Sequence, residues 1–212
     1  MTATTVATTV TTTVEAEGRT DVGAGRRHAV VATEVGELTL VAEDDVLVGV
    51  YFAEHRPEPD RARFGEPVEL TGDEVLSAAA EQLIEYACGE RATLELPLRV
   101  NGSERARQVW DLVAAVPRGE TTTYAALGRA VGVGPRAAGQ FVARNPLCLV
   151  VPCHRVVASD GRLTGYAGGV EAKRRLLELE GALAPGAATV TPVTPVPVPV
   201  AGAGAVTPEV GG

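Results

Sequence analysis

The stretch Thr121–Gly139 reads "TTTYAALGRAVGVGPRAAG", and it decides the fold of the second half of the chain. Thr122 or Thr123 can cap a helix over "TTTYAALGRAVG", because a threonine hydroxyl accepts a hydrogen bond from a free amide of the first helical turn. Pro135 then suits the first position of the next helix, "PRAAGQFVAR", which ends at "NP". Two short helices joined by the turn "VGVG" indicate a helix-turn-helix. Most such helix pairs bind nothing, so this pattern alone does not establish a partner.

Further helices flank this pair. Upstream, Ser103 can cap "ERARQVWDLVAAV", which Pro117 and Gly119 end. The apolar residues of that segment recur at helical spacing and predict one core-facing side: Val109, Trp110, Val113, Ala114 and Val116. Downstream, "VEAKRRLLELEG" predicts a last helix that stops at Gly181.

The amino-terminal half has a different pattern. The segment "HAVVATEVGELTLVAEDDVLVGVYFAE" contains three short β-branched runs separated by turn residues, which predicts an antiparallel meander. An acidic loop follows up to about Gly72, and then "DEVLSAAAEQLIEYACGE" predicts a helix that Gly89 ends. Its apolar stripe contains Val75, Leu76, Ala79, Leu83, Ile84 and Cys88. Cys88 is therefore predicted to be a buried, inert thiol.

These patterns divide the chain into four parts. Residues 25–100 form an amino-terminal α/β domain and residues 101–182 a mostly helical domain. Residues 1–24 and 183–212 are low in complexity, rich in threonine and in Pro, Val, Ala and Gly respectively. Both tails are predicted to be disordered, because repeated prolines remove sheet donors and no aromatic residue anchors either segment.

Charge separates the two domains. The chain has a net charge of −8, which by itself argues against a nucleic-acid partner. Residues 1–100, however, carry 8 Arg and 19 Asp or Glu, whereas residues 101–182 carry 11 Lys or Arg and 7 Asp or Glu. The second domain is thus basic, although the net charge of the whole chain is negative.

Cysteine count and hydropathy favour a cytoplasmic protein. Three cysteines are too few and too uneven for a disulfide framework and fit a reducing compartment. We find no run of about 18 apolar residues, and the first residues lack the charged start and apolar middle of a secretory signal.

The stretch Val151–Gly161, "VPCHRVVASDG", contains the most informative cysteine. A thiol needs a base or a positive field to ionise at neutral pH, and His154 and Arg155 follow Cys153 directly. Neighbours in an extended strand point to opposite faces, so adjacency alone does not join them. Pro152 can introduce a bend that does. Spacing leaves both a core cysteine and a nucleophile open.

A nucleophile of this kind requires a group that orients its histidine, usually a carboxylate from elsewhere in the chain. Glu178 and Glu180 at the end of the last helix are candidates, and each is equally compatible with a solvated helix end. Cys148, in the apolar run before Cys153, is predicted to be a core residue.

Taken together, "TTTYAALGRAVGVGPRAAG" and "NPLCLVVPCHRVVASDGRLTGYAGG…KRRLLELEG" resemble the alkylguanine-DNA alkyltransferases, also called methylated-DNA-protein-cysteine methyltransferases. The resemblance covers about residues 103–182, and the preceding sheet and helix resemble the less distinctive amino-terminal domain of the family. It implies an α+β fold. A small antiparallel sheet plus helix, ribonuclease H-like, is followed by a mostly helical, winged-helix-like domain with a helix-turn-helix.

The resemblance also implies a reaction and its residues. Cys153 would take an alkyl group irreversibly from oxygen 6 of guanine, so that one molecule repairs one lesion. His154 would accept the thiol proton through a water, with Glu180 orienting the imidazole. Tyr166 would bond to the base and help guanine leave as a neutral species. Further matches are Asn145, which ties the recognition helix to the active-site loop, and the substrate-side residues Pro152 and Val156.

The family docks its helix-turn-helix in the minor groove of duplex DNA and rotates the damaged nucleotide out of the stack. Arg136 would fill the gap left by the base, and Tyr124 would crowd the adjacent phosphate. The helix surface against the DNA would consist of small or polar residues, namely Ala137, Ala138, Gly139 and Gln140. The implied partner is double-stranded DNA with an alkylated guanine, and the 4-O-alkylated form of thymine is a second candidate lesion. We expect a monomer with no cofactor, no metal and no membrane contact.

Some residues depart from the family pattern. Phe141 is bulky where a small residue is usual, and it predicts either core packing or a wider wedge. His28 and His55 lack cysteine partners in the sequence, so no zinc site is expected.

Three other functions remain. A non-catalytic alkylguanine-recognition protein usually lacks the cysteine, and a transcription regulator would need a cysteine-rich sensor domain. A thiol hydrolase with a Cys-His-Glu site would turn over repeatedly.

Overall fold

The computed structural model describes residues 25–192. The predictions for residues 1–24 and 193–212 lie outside the described residues. The amino-terminal part begins with the predicted meander, built from β1 (Arg26–Thr33), β2 (Gly36–Glu43) and β3 (Val46–Phe52). β2 pairs antiparallel with both neighbours, with Thr33 opposite Gly36 at the first turn. The prediction of an antiparallel meander is confirmed.

A short fourth strand extends this sheet. β4 (Glu66–Pro67) pairs parallel with β1, so the strand order is β3-β2-β1-β4. Gly65, just before β4, has a φ of 79°, and a Cβ there would lie 1.9 Å from the carbonyl oxygen of Arg26. Only glycine lets the two backbones approach this closely.

Helix α1 (Glu74–Cys88) covers one face of the sheet. The Asp73 side chain accepts a hydrogen bond from the Leu76 amide at 2.9 Å, and Gly89 ends the helix in the left-handed conformation. The buried side consists of Leu76, Ala79, Ala80, Leu83, Tyr86 and Ala87.

The predicted burial of Cys88 is wrong, because Cys88 and Ile84 are both exposed. At about 100° per residue, Cys88 lies roughly 135° from the centre of the buried face. Tyr86 and Ala87 occupy the core-facing positions of the last turn instead.

The second part contains the four predicted helices. They are α2 (Glu104–Ala114), α3 (Tyr124–Ala130), α4 (Pro135–Ala143) and α5 (Gly169–Leu179). Ser103 caps α2 and Thr123 caps α3, each by accepting from an amide three residues on. Pro135 occupies the first turn of α4, as predicted. A two-stranded parallel sheet of β5 (Thr122–Thr123) and β6 (Val156–Val157) joins the start of α3 to the segment after Cys153.

The two parts share one hydrophobic core. Residues from β1 to β3 and from α1 belong to the same buried cluster as Trp110, Leu127 and Leu176. Backbone bonds also cross the boundary, since the Val50 amide donates to the Pro146 carbonyl at 2.8 Å and the Cys148 amide donates to the Val50 carbonyl at 3.1 Å. The edge of β3 therefore holds the segment that leads to Cys153.

Residues 183–192, at the start of the predicted carboxyl-terminal tail, pack on the second domain. Leu183 and Val190 are buried with Val157 and Leu177 in a second apolar cluster, and the Val190 amide donates to the Gly161 carbonyl at 3.0 Å. The predicted boundary at residue 183 is thus wrong for residues 183–192. The proline-rich composition of this segment did not indicate that Leu183 and Val190 are buried. Within residues 25–192, no helix has the length and hydropathy needed to cross a membrane.

Candidate active site

Cys153 begins a 3-10 turn, Cys153–Arg155, directly after Pro152. Pro152 starts this turn with φ −78° and ψ 62°, and its carbonyl accepts from the Arg155 amide at 2.9 Å. The predicted bend at Pro152 is present, although among the described residues no hydrogen bond joins His154 to Cys153. The bend holds Cys153 with 4% of its surface exposed, on the wall of a cavity.

Asn145 ties this turn to the end of α4. Its Nδ2 donates to the Val151 carbonyl at 2.9 Å and to Cys153 Sγ at 3.3 Å, while Oδ1 accepts from the Leu147 amide at 3.0 Å. Every bond of this buried amide thus fixes the chain between α4 and the cysteine. The linking position predicted for Asn145 is the one that the structure shows.

Three groups favour the thiolate of Cys153. The Cys148 thiol, the Asn145 amide and the charge of Lys173 lower the pKa of Cys153 against the opposing effect of burial. Cys148 is buried, as predicted, and it lines the same cavity. The interaction with Cys153 and burial raise the pKa of Cys148, and its Sγ lies 3.9 Å from His55 Nδ1.

His154 pairs with Glu180, not with Glu178. Its Nε2 lies 2.6 Å from Glu180 Oε1, and both side chains are buried. Burial lowers the pKa of His154, whereas His154 and Arg155 hold the pKa of Glu180 well below its usual range against the effect of burial. A neutral imidazole beside a carboxylate carries its proton on Nε2, which leaves Nδ1 as an acceptor. Nδ1 has no hydrogen-bond partner among the described residues.

Arg155 completes the setting of Glu180. Its Nε donates to Glu180 Oε2 at 2.8 Å, and its guanidinium also donates to the Val116 carbonyl at 2.5 Å. Sequence analysis treated Arg155 only as a possible positive neighbour of Cys153. Its side chain instead reaches away from the thiol toward the end of α5.

Sequence reasoning also missed Lys173, a buried cation. Its Nζ donates to the Val156 carbonyl at 2.5 Å and to the Thr164 carbonyl at 2.8 Å. Burial lowers the pKa of Lys173 to about 8, so the amine is mostly charged at neutral pH. Two signals were available, since Lys173 is the only lysine of the chain and lies seven residues before Glu180 on the same helical face.

A cavity of about 600 Å³ opens beside Cys153. Tyr124, Tyr166 and Asn145 line it together with the α4 residues Arg136 and Gly139. The Tyr166 hydroxyl is buried without a hydrogen-bond partner among residues 25–192, and burial raises its pKa well above the usual value. It is therefore a protonated donor. The amino-terminal part adds Arg56 to the wall, which the sequence did not predict.

The predicted DNA-contacting residues of α4 divide into two groups. Arg136 and Gln140 are exposed, and Ala137 and Gly139 are half-buried. Ala138 is fully buried and belongs to the core, so its predicted place on the DNA-facing surface is wrong. The helical period turns its methyl group inward.

Tyr124, at the start of α3, faces the cavity beside α4. A Cβ on Gly139 would lie 3.6 Å from the Tyr124 ring, and the Tyr124 hydroxyl donates to the Gly165 carbonyl at 3.3 Å. Burial raises the pKa of Tyr124 to about 12.

Two predicted substrate-side residues lie outside the cavity. Val156 is fully buried, its amide donates to the Cys153 carbonyl and its own carbonyl accepts from Lys173. The family resemblance implies a main-chain contact from Val156 to the guanine edge, whereas in the structure its amide and its carbonyl both have partners within the protein. Pro152 is buried and shapes the turn without lining the cavity.

Phe141 is resolved as a packing residue. Its half-buried ring lies against the core, and its carbonyl accepts from the Trp110 indole at 2.8 Å. Of the two alternatives, core packing is the one that the structure shows.

Sequence comparison matches both parts of the chain to one family. Residues 104–182 match the description "6-O-methylguanine DNA methyltransferase, DNA binding domain", and residues 27–100 match "6-O-methylguanine DNA methyltransferase, ribonuclease-like domain". The ribonuclease-like description agrees with the fold expected for the amino-terminal part.

Individual relatives agree. A methylated-DNA–protein-cysteine methyltransferase of Mycolicibacterium paratuberculosis is 35% identical over 164 residues, which is 76% of this chain and 96% of that protein. The constitutive enzyme of that name from Bacillus subtilis is 36% identical and covers 72% of this chain and 94% of its own length. The crystal structure of Mycobacterium tuberculosis OGT in complex with DNA superposes with a TM-score of 0.64 at 32% identity, covering 73% of this chain and 92% of that one. The chain therefore belongs to the methylated-DNA–protein-cysteine methyltransferase family.

Proposed function

We propose that this protein repairs DNA by direct reversal, transferring a methyl or larger alkyl group from oxygen 6 of guanine to Cys153. The observation that carries the proposal is the placement of Cys153. A buried thiol with a lowered pKa lies on the wall of a cavity, and the other wall is helix α4 of the helix-turn-helix. A nucleophile beside a DNA-binding element fits a reaction on a base.

The transfer is a displacement at carbon. The bond between guanine oxygen 6 and the alkyl carbon breaks as the bond between that carbon and Cys153 Sγ forms. A thioether is stable in water, so the reaction ends after one equivalent, and each molecule repairs one lesion. The chemistry requires neither a metal nor a cofactor.

His154 is the proposed acceptor of the thiol proton. The free Nδ1 is directed away from Glu180, and a bridging water would carry the proton from Cys153 to it. Glu180 holds the imidazole in the tautomer that leaves Nδ1 basic and stabilises the imidazolium that forms. This arrangement removes the objection that adjacent side chains point to opposite faces.

Tyr166 is the proposed donor to the leaving base. As the carbon–oxygen bond breaks, negative charge develops on guanine, and a donor aimed at a ring nitrogen stabilises it. The buried, protonated and unpaired hydroxyl of Tyr166 on the cavity wall supports this role. With proton transfer from Tyr166, guanine leaves as a neutral species.

The lesion must leave the duplex to reach the cavity, at a cost of a few kcal/mol for unstacking. We assign the surface that enters the minor groove to α4, with Ala137, Gly139 and Gln140 facing the DNA. Arg136, at the cavity rim, fills the space of the rotated base. Tyr124 crowds the neighbouring phosphate and favours rotation.

The partner is therefore duplex DNA that carries an alkylated guanine, and 4-O-alkylthymine is a second candidate lesion. We further propose that the protein acts as a monomer in the cytoplasm. Each of these statements extends the family assignment to this chain.

The test is the mass of the intact protein after incubation with excess duplex that contains one 6-O-methylguanine. We expect one added methyl group per molecule, saturating at one equivalent and mapped to Cys153 by peptide analysis. Cys153→Ala is the control and should bind the duplex without any gain in mass. Binding without transfer by the natural chain would favour the non-catalytic recognition protein, and repeated turnover with no lasting adduct would favour the thiol hydrolase.

A further inference from the structure

The amino-terminal domain contributes a side chain to the buried carboxylate of the active site. Tyr86, in the last turn of α1, is 2% exposed, and its hydroxyl donates to Glu180 Oε1. The same hydroxyl accepts from the Arg155 guanidinium at 3.1 Å. A residue 94 positions away in sequence from Glu180 thus completes its hydrogen bonds.

Tyr86 is itself held in place from the second domain. The guanidinium of Arg118 lies 5.3 Å from the centre of the Tyr86 ring and donates to the Leu179 carbonyl at 3.2 Å, at the end of α5. Gly89, just after α1, lies close to the side chain of Leu179 in α5. A Cβ added at Gly89 would lie only 2.9 Å from Leu179 Cδ1. The end of α1 and the end of α5 therefore meet at fixed positions.

Glu180 Oε1 receives both Tyr86 and His154. The His154 Nε2 contact to this oxygen is 2.6 Å, while Oε2 accepts from Arg155 Nε at 2.8 Å. Burial and the charge of Glu180 raise the pKa of Tyr86, so its hydroxyl stays protonated and acts as a donor. Tyr86 and His154 therefore both form a hydrogen bond to the same negatively charged oxygen, Glu180 Oε1.

From this geometry we propose that Tyr86 is a positioning residue of the transfer reaction. Its hydroxyl fixes the rotation of the Glu180 carboxylate and withdraws charge from the oxygen that His154 faces. The amino-terminal domain in this way sets how strongly His154 binds a proton. This inference rests on the proposed function, because it assigns His154 the role of proton acceptor.

The direction of the effect follows from electrostatics. Without the tyrosine hydroxyl, Oε1 presents more of its charge to His154, and a stronger neighbouring negative charge favours the imidazolium. His154 then becomes protonated at a higher pH and stops accepting the thiol proton there. The loss of rate should be greatest in acid and should shrink as the pH rises.

The experiment compares Tyr86→Phe with the natural chain and with Tyr51→Phe. Tyr51→Phe is the matched control, because it removes a tyrosine hydroxyl from the same domain, where the ring stacks on Phe64 away from Glu180. Single-turnover methyl transfer from duplex 6-O-methylguanine is measured between pH 5 and 9. For Tyr86→Phe we expect the acid limb to move up by about 0.5 to 1 pH unit, so that the rate loss approaches roughly 3- to 10-fold on the acid side of that limb and disappears above it.

A second measurement does not depend on activity. In a Cys153→Ser background, the titration of His154 followed by nuclear magnetic resonance should show the same upward shift in Tyr86→Phe and none in Tyr51→Phe. A Tyr86→Phe protein with an unshifted His154 titration and a superimposable rate profile would overturn the inference. If the natural chain itself transfers no methyl group, the proposed function fails, whereas the His154 titration still reports on Tyr86.

Discussion

The pKa of Cys153 is lowered by side chains from three different segments of the chain. Asn145, Cys148 and Lys173 all favour its thiolate, and they come from the end of α4, the following loop and α5. Burial acts in the opposite direction, so the balance depends on these contacts. The motif around Cys153 predicts the proposed nucleophile, and the fold supplies the contacts that lower its pKa.

Lys173→Met tests this balance. The Lys173 charge lowers the pKa of Cys153, so its removal should raise that pKa and reduce the thiolate fraction at pH 7. We expect methyl transfer at pH 7 to slow by about 3- to 10-fold and to recover as the pH rises. Thiolate absorbance near 240 nm, corrected with Cys153→Ser, measures the shift directly.

Arg175→Met is the control, because it removes one positive charge from an exposed position of the same helix. It should leave the thiolate titration unchanged. A Cys153 titration in Lys173→Met that matches the natural chain would show that Lys173 has only a structural role.

At the scale of elements, α4 connects the proposed DNA-binding surface with Cys153. Its first turn carries Arg136 at the cavity rim, and Asn145, just beyond its end, touches the nucleophile. Displacement of the recognition helix would therefore change the position of the amide that bonds to Cys153.

Arg136→Ala should separate the two roles of this element. Transfer from duplex DNA should slow by about 10-fold or more, because the rotated nucleotide loses the side chain that replaces it in the stack. Transfer from the free base 6-O-methylguanine should change little, since a free base needs no rotation. Arg107→Ala, an exposed arginine of α2, is the control and should affect neither rate. Equal losses on duplex and free base in Arg136→Ala would contradict the assigned role.

The sequence predicts the elements better than their outward faces. The helix starts at Ser103 and Thr123 could be predicted because a capping side chain acts locally. Burial depends on what packs across from a helix, and so the positions of Cys88 and Ala138 were wrong. The contact between Tyr86 and Glu180 could not be predicted either, because nothing near Tyr86 in the sequence indicates it.

At the scale of the whole molecule, the two domains pack together as one structural unit. They share a core, backbone hydrogen bonds and the hydrogen-bonding network of Glu180. The candidate site residues of the second domain could be predicted from its motifs. The dependence of this domain on the first could not, because the joining contacts involve unremarkable residues such as Val50 and Pro146.

Residues 183–192 also belong to this unit, and Leu183→Ala tests their contribution. Leu183 is 2% exposed in the cluster around Val157 and Leu177, so its truncation leaves a cavity. We expect a loss of about 2 to 4 kcal/mol in the free energy of unfolding, measured by urea denaturation. Val170→Ala, at a position that is 44% exposed, should cost far less. Equal stability of the two variants would mean that this segment does not pack on the domain in solution.

The burial of Lys173 also has a practical consequence for labelling. Because it is the only lysine, no lysine amine of the native protein is open to acylating reagents such as activated esters. Such reagents would therefore leave the lysine side chain of the native protein largely unmodified. The rate at which Lys173 is slowly acylated would then measure how often local opening of α5 exposes its amine.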